Sequence, residues 1–437
     1  MKKHLLALPV GVALGLSPLG VMAANAETTN IEKIMQELEA LKQRVETLQG
    51  ELEKERARND EIAQTQKEQA QQEQARKESA EQVVTAGKEA ESTKPDIRLG
   101  GAVRFNYTVN ENDEDQRDRG GDMRFDTVRL GFDGEIDDVI LSAEWRWYEY
   151  MSVIHHAWVG YEFSDDLNAR AGIFQIPFGV LPYNSHSFYF SSMFYVGLED
   201  NYDFGIGSTY TPGDWRLDLA FLKNDERGGS SPESYSANVI GYDGDRGGTE
   251  AVNSLVARAE YDYTVGDNLS IKPGASLKYG QLNGGRTGSD GDYYAAAAHL
   301  VADYDRWNLQ LQYSDWKYDL DDPTAEFINY GYYNAMYTGP LSARAVTANI
   351  AYTMPVNWGP ISSLRFYNDY SLIFDKNNDY KNTYMNVTGM SVGAGGVYAY
   401  FDIINGKNQP FVSGGTAALT GEADSNTIYN INIGYYF

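Results

Sequence analysis

The chain has 437 residues, a formal net charge of −26 and no cysteine, and it is rich in tyrosine (33) and glycine (43) but poor in proline (13). Without cysteine it forms no disulfides and has no thiol chemistry. The strong acidity disfavours a nucleic acid as partner, because binding phosphates requires clustered Lys and Arg. Many aromatic residues together with many glycines indicate strands and turns.

The chain begins with a pattern typical of export. Lys2 and Lys3 precede an apolar run over residues 5–22, and residues 24–26 read A-N-A. This pattern predicts a secretory signal peptide over residues 1–26. The alternative is an uncleaved anchor, which the glycines and the proline of the run disfavour. No later stretch reaches the ~18 apolar residues of a transmembrane helix.

A heptad pattern over residues 27–83 predicts an N-terminal α-helical coiled coil. Glu37 and Lys42 fall at flanking positions that face each other in a parallel bundle, so their opposite charges favour a parallel oligomer. The alternative is a lone helix with a narrow apolar stripe. The predicted oligomerisation seam consists of Ile31, Ile34, Leu38, Leu41, Val45, Leu48 and Leu52. Residues 84–96 contain Gly, Ser, Thr and Pro and are predicted to be a linker.

From residue 97 to residue 437 the hydrophobic period changes to two. Trp215, Leu217 and Leu219 alternate with Arg216 and Asp218, which predicts strands with one apolar and one polar face. A soluble sandwich would show the same alternation. However, short turns alternate with mostly long loops between the candidate strands, which is typical of outer-membrane barrels. We therefore predict an all-β transmembrane β-barrel of about 16 antiparallel strands.

The end of the chain supports this prediction. Apolar residues occupy alternate positions of the last strand up to the terminal Phe437. This ending resembles the signature by which the barrel-assembly machinery recognises bacterial outer-membrane barrels, so we interpret Phe437 as an assembly signal. The alternative is an ordinary final strand.

The interior of a barrel of this size is wide enough for water. Basic side chains at the polar positions of the strands suit carboxylates or phosphates, because the guanidinium fork binds two oxygens at once. The alternative is that these side chains pair with inward acids such as Glu144, Asp218 and Glu260. The predicted pore-lining residues are Arg104, Arg129, Arg146, Arg170, Arg216, Arg258, Lys278 and Arg365.

The segment RAGIFQIPFGVLPYNSHSFYFSSMF, residues 170–194, begins as a strand and continues as an irregular aromatic run. Pro177 and Gly179 end the ladder, and we expect the loop at about 178–202 to fold into the barrel. Phe178, Phe188 and Phe190 are expected to anchor it. The predicted constriction residues are Pro177, Phe178, Gly179, Tyr183, His186, Tyr189 and Tyr195. The alternative is a loop that packs only for stability or over the axis of an oligomer.

The sequence gives little support to an enzyme, and no cofactor or metal is predicted. His155 and His156 are adjacent on a predicted strand, so we expect their rings on opposite faces, where they form no joint metal site easily. No G-x-S-x-G or H-E-x-x-H motif occurs.

Two stretches of the barrel, HHAWVGYEFSDDLNARAGIFQIPFGVLPY and GLEDNYDFGIGSTY, resemble the DcaP-like trimeric outer-membrane porins, a family related to the phosphate-selective porin O and P group. The shared motif is R-x-G-x-F-x-x-P-F-G, here residues 170–179. The resemblance implies a trimer of pores with periplasmic coiled coils and a preference for anionic solutes such as dicarboxylates. The phosphate porins have Lys- and Arg-rich interiors, whereas these strands contain few lysines.

The sequence thus predicts an outer-membrane porin for passive diffusion of small organic anions, with lipid, lipopolysaccharide and further copies of the chain as partners. Two alternatives of the same class are a general or sugar-permeable porin and a phosphate-type porin. An alternative of another class is a tether whose coiled coil links the outer membrane to the cell wall.

Overall fold

The computed structural model describes residues 96–437, apart from residues 229–230, 242–246, 267 and 287. The strands are β1 (Asp96–Asn110), β2 (Asp122–Ile136), β3 (Val139–Trp147), β4 (Ser152–Ser164), β5 (Leu167–Gln175), β6 (Tyr202–Tyr210), β7 (Trp215–Asp225), β8 (Asn238–Val239), β9 (Gly247–Tyr261), β10 (Tyr263–Val265), β11 (Leu269–Gly285), β12 (Gly291–Tyr304), β13 (Trp307–Leu320), β14 (Phe327–Tyr332), β15 (Ala335–Pro340), β16 (Ser342–Trp358), β17 (Ile361–Phe374), β18 (Thr383–Ala394), β19 (Val397–Lys407) and β20 (Asn426–Tyr436). The helical segments are α1 (Glu114–Asp118) and the 3₁₀ turns Phe194–Val196, Asn377–Asp379 and Gly415–Ala417.

The main sheet closes on itself as an antiparallel barrel of sixteen strands. β9 and β10 follow each other directly and both pair with β11, so they act as one strand. β1 pairs with β2 on one side and with β20 on the other. Where the seam ends, Gly101 and Phe437 exchange backbone hydrogen bonds of 2.9 and 3.1 Å. Closure leaves no unpaired sheet edge, and the predicted barrel and strand number are confirmed.

Alternate side chains of each strand face opposite sides of the wall. Along β13, Leu311 and Tyr313 are 37% and 44% exposed on the outer surface, whereas Gln312 and Ser314 are 4% and 0% exposed on the inner one. The outer surface therefore presents an apolar belt and the interior is polar. Within the described residues, no helix is long and apolar enough to cross a membrane.

β16 continues past Pro355 to Trp358 through a register shift against β17. Proline lacks the N–H of a regular ladder and is accommodated at such an irregularity. The connection between β13 and β16 contains the hairpin of β14 and β15, which pairs with β8 in a second, three-stranded sheet.

Several predictions lie outside the described residues: the signal peptide, the coiled coil with its seam, and residues 84–95 of the linker. Asp96, predicted as the last linker residue, is the first residue of β1.

The close packing of β6 against β7 gives a test of the barrel wall. A Cβ on Gly205 would overlap the carbonyl oxygen of Phe221 and lie 2.9 Å from Cα of Leu222. We expect Gly205→Ala to lower the free energy of unfolding by about 1–3 kcal/mol, because the backbone must move to fit the methyl group. Urea unfolding in detergent measures this. Ser208→Ala, on the opposite face of β6, is the control and should change the value by less than about 0.5 kcal/mol.

Candidate solute channel

The loop between β5 and β6 lies inside the barrel. The chain leaves the ladder at Pro177, and the next backbone groups bond to inward side chains of distant strands. The N–H groups of Gly179 and Val180 donate to Ser276 Oγ on β11 (3.0 Å) and Gln312 Oε1 on β13 (2.9 Å). Gly179 has φ +66° and no room for a Cβ against the Gln312 side chain, so this close approach requires glycine.

The far end of the loop is fixed to β17 through one carboxylate. Asp369 accepts hydrogen bonds from the backbone N–H groups of His186 (2.7 Å) and Ser187 (2.8 Å) and from His186 Nδ1 (2.8 Å). His186 Nε2 lies 2.6 Å from Asn308 Oδ1, and Asn308 Nδ2 donates to Asp303. Both ring nitrogens of His186 therefore have a hydrogen-bond partner. Further along the loop, the Ser192 backbone N–H donates to Ser371 Oγ at 3.0 Å.

A buried carboxylate holds the loop in its own shape. Glu199 is 3% exposed and accepts from the N–H of Asn184, the hydroxyl of Ser185, and both the N–H and the hydroxyl of Ser191. Burial raises the pKa of Glu199 to about 7, while the hydrogen bonds from Ser191 and Ser185 oppose this rise. Residues 184–185 and residue 191 of the loop are thus hydrogen-bonded to the same side chain.

Across the lumen from the loop anchors, three arginines lie on neighbouring strands. Arg104, Arg129 and Arg146 project from β1, β2 and β3, and we call them the arginine layer. Arg129 and Arg146 are direct cross-strand partners, an arrangement of like charges that is unfavourable by itself. Glu144 reduces this repulsion, with its carboxylate 2.5 Å from Arg146 Nε and 4.0 Å from Arg129.

The arginines around this part of the lumen differ in how far nearby carboxylates neutralise their charges. Arg104 pairs with Asp126 at 2.7 Å, whereas Arg365 on β17 forms no ion pair within the described part of the chain, and its Nε is buried without a hydrogen-bond partner. Among the described residues, the one ion pair of Arg129 is its 4.0 Å contact with Glu144. Arg129 and Arg365 are therefore the least neutralised of these arginines.

A cavity of about 1020 Å³ lies between the arginine layer and the loop. Its lining runs from Asn110 and Gln116, beside the long loops, to the short turn at Gly395 and Gly396. The charged lining residues among those described are Arg104, Arg124, Arg129, Arg146, Arg365 and the single carboxylate Asp126, and His186 also lines the cavity. The cavity is thus a continuous, strongly cationic space along the barrel axis.

Aromatic side chains form most of the rest of the wall. From the loop, the lining includes four of the predicted constriction residues, Tyr183, His186, Tyr189 and Tyr195, together with Phe188 and Phe190. The two phenylalanines, which were expected to anchor the loop, pack on Tyr400 and Phe194 and also line the cavity. The Arg104 guanidinium lies 5.2 Å from the Phe188 ring centroid, a distance suited to cation–π attraction.

The other predicted constriction residues lie elsewhere. Phe178 is 5% exposed in the apolar cluster behind the loop. Pro177 and Gly179 carry the chain along the far wall and do not line the cavity.

Four of the predicted pore-lining residues also lie away from this cavity. Arg258 is bound by Asp218, Glu260 and the carbonyl of Gly179. Each of the other three residues contacts a neighbour on the wall. Lys278 lies 3.7 Å from Asp203, and Arg216 pairs with Asp218. The Arg170 guanidinium lies 4.7 Å from the Phe174 ring centroid. For Arg258, Lys278 and Arg216 the alternative of pairing with inward acids describes the structure, whereas Arg170 packs on an aromatic ring.

The expectation for the two adjacent histidines is wrong. A bulge pairs Glu144 with His156 and Trp145 with Ile154, so His155 is the extra residue of β4. Both rings therefore turn inward, with their Nδ1 atoms 2.9 Å apart. A bulge changes which face a side chain occupies, and simple alternation does not reveal it.

Several lining residues were not identified from the sequence. Tyr148, Tyr235, Tyr333 and Phe411 come from other external connections, where no periodic pattern assigns a direction. Tyr436 is different, because it lies two residues after Gly434 on the inner face of β20 and alternation could have identified it.

The loop anchor gives a second test. We expect Asp369→Ala to speed backbone hydrogen exchange of residues 184–192 by roughly tenfold or more, because two buried N–H groups and the His186 ring lose their partner. Hydrogen-exchange mass spectrometry on the folded barrel measures this. Tyr370→Phe, which faces outward on the same strand, is the control; equal exchange in both variants would contradict the anchor.

The buried Glu199 gives a pH test. Its pKa is raised in the folded loop, so its stabilising contribution is complete below about pH 4.5 and is lost as the pH rises through about 7. After correction for intrinsic exchange rates, protection of residues 184–191 should fall between pH 5 and pH 8. Glu199→Gln should remove this pH dependence of protection. A pH profile of the variant identical to that of the unmodified chain would contradict the role of Glu199.

No protein-family model matches this chain, and no curated protein matches its sequence. Solved structures do match. The outer-membrane channel DcaP of Acinetobacter baumannii is similar with a TM-score of 0.52 and 14% identity, over 79% of this chain and 98% of that one. The trimer form of OmpT, an outer-membrane protein of Vibrio cholerae, gives a TM-score of 0.50 and 11% identity, over 79% and 100%. The predicted resemblance to the DcaP-like porins is thus confirmed at the level of the fold.

Proposed function

We propose that this chain is an outer-membrane porin that allows passive diffusion of small organic anions, dicarboxylates among them. The observation that carries the proposal is the cavity lining, with five arginines against one carboxylate among its described residues. Charged groups that line a pore select the solutes that pass. No catalytic role is proposed.

The membrane location is supported by the outer surface of the barrel. Leu219, Leu277, Ile350 and Ile403 are 43–58% exposed there, which is unfavourable in water and favourable in hydrocarbon. A closed ladder satisfies its backbone groups without water. We therefore infer an outer-membrane barrel with lipid and lipopolysaccharide around it, inserted by the barrel-assembly machinery, which would read Phe437. In this arrangement the signal peptide directs export and the coiled coil lies in the periplasm.

The inward loop is proposed as the constriction. Its anchors on Ser276, Gln312, Asp369 and Ser371 hold it across the lumen. The cavity beside the arginine layer is then the space proposed for a solute. A solute in transit would pass within reach of guanidinium groups and of aromatic rings from the loop.

A homotrimer is proposed as the assembled state. OmpT of Vibrio cholerae, which shares the fold, is described as a trimer, and the heptad seam predicted over residues 31–52 would join further copies of this chain in the periplasm.

Among the alternatives, a general or sugar-permeable porin has one observation in its favour, the aromatic lining that includes Tyr183, Tyr189 and Tyr195. A phosphate-type porin is less favoured, because Lys278 is buried against Asp203 and lines no large cavity. Nothing in the described residues favours a cell-wall tether.

Anion selectivity depends on the two least neutralised arginines. We expect the double variant Arg129→Gln, Arg365→Gln to reduce the ratio of anion to cation permeability several-fold, because each charge in a partly desolvated lumen contributes about 1 kcal/mol or more. Reversal potentials across a planar bilayer under a salt gradient measure this ratio.

Arg344→Gln is the matched control. Arg344 lies on the outer face of β16, paired with Asp315 and Asp375 at 3.1 and 2.7 Å, so its removal should leave the ratio unchanged. A cation-selective unmodified channel would refute the proposed function.

A further inference from the structure

A group of aromatic side chains surrounds the outer part of the cavity. Neighbouring ring centroids in this group lie 4.5–6.1 Å apart. Phe190 contacts Phe194, and Phe194 contacts Tyr195. Phe411 contacts both Tyr195 and Tyr333, and Tyr333 also contacts Phe194 and Tyr148. All of these residues line the cavity. We call them the aromatic collar: Tyr148, Phe190, Phe194, Tyr195, Tyr333 and Phe411.

Three members of the collar have an unfavourable backbone conformation. Phe190, Tyr333 and Phe411 have φ values of 59°, 50° and 65°, a region that residues with bulky side chains rarely occupy. Each belongs to a different connection between strands. Backbone strain that recurs at a ligand-facing surface is typical of functional sites, so the inward position of these rings indicates a role beyond packing.

The collar lies one step outward from the arginine layer. Tyr148 follows Arg146 by two residues on the same inward face, and its N–H continues the ladder by bonding the carbonyl of Met151 at 2.9 Å. Two residues of extended chain span about 7 Å. A solute one sugar ring in length therefore reaches from the collar to the arginine layer.

Two hydroxyl groups near the aromatic collar and the arginine layer lack a hydrogen-bond partner within the described residues. Tyr148 is 9% exposed and Ser187 is 6% exposed, and within the described residues neither hydroxyl has a hydrogen-bond partner. Asp126, the one carboxylate of the lining, is paired with Arg104 and accepts from Asn432 Nδ2 at 3.0 Å. Its remaining acceptor capacity suits a hydroxyl donor and repels a second carboxylate.

We propose that the cavity prefers a sugar acid, a pyranose ring bearing a carboxylate, over aromatic and simple aliphatic acids. This inference rests on the proposed function. The apolar face of the ring packs on the collar, the carboxylate binds the arginine layer, and the ring hydroxyls bond Tyr148, Ser187 and Asp126. A benzoate would use the rings and the arginines but would leave the hydroxyls of Tyr148 and Ser187 without partners and the remaining acceptor capacity of Asp126 unused, which lowers its affinity.

The test is the concentration at which glucuronate, benzoate or glucose halves the ion current through the channel in a planar bilayer. Glucuronate should block at a concentration at least about tenfold below those of benzoate and glucose, since it alone uses both the cations and the hydroxyl partners. Tyr148→Phe keeps the ring and removes the hydroxyl, so it should weaken the glucuronate block about fivefold and leave the benzoate block unchanged. Tyr313→Phe, the same change on the outer surface, should affect neither.

The two proposals fail in different ways. Benzoate or glucose blocking as strongly as glucuronate, or Tyr148→Phe weakening both acids equally, would overturn the sugar-acid preference. An anion-selective channel that none of the probes blocks would also overturn it, while the proposed porin function stands. A cation-selective channel would overturn the porin function itself.

Discussion

Closure of the backbone ladder is the constraint on which the rest of this structure depends. Once β1 pairs with both β2 and β20, the strands of the barrel are paired on both sides and the main sheet has no edge. Closure also divides all strand side chains into an outer apolar set and an inner polar set. A wall of sixteen strands encloses more space than its own side chains fill, so the inner polar groups must bond other segments of the chain, solvent or a solute.

The path of the inward loop determines which of these inner polar groups form hydrogen bonds within the protein. On its own side, Asp369, Ser276 and Gln312 are all taken up by backbone N–H groups of the loop. By contrast, Arg129 has a long 4.0 Å ion pair with Glu144, and Arg365, on the same strand as Asp369, lacks an ion pair within the described residues. One closed wall therefore carries both inner groups that are satisfied within the fold and arginines that can bind anions.

Alternation and turn spacing were sufficient to predict the barrel and its strand number, because a period of two is a local property of the sequence. The same alternation placed Arg104, Arg129, Arg146 and Arg365 on the inner face. It could not tell them from Arg258, which also faces inward but is bound by Asp218 and Glu260. That distinction depends on pairing between strands that are distant in sequence and on the path of an irregular loop. Bulges have the same effect on a smaller scale, as the extra residue in β4 turned both histidines inward.

The acidity of the whole chain does not contradict a cationic channel. At physiological ionic strength charges in solvent are screened beyond about 8 Å, and many of the carboxylates lie on exposed connections such as α1, with Glu114 and Asp115 in its first turn. The arginine layer is partly desolvated, so a solute there interacts mainly with its immediate neighbours. The net charge of −26 therefore disfavours a nucleic acid as partner, but the selectivity of the lumen depends on the few charges within one screening length of the solute.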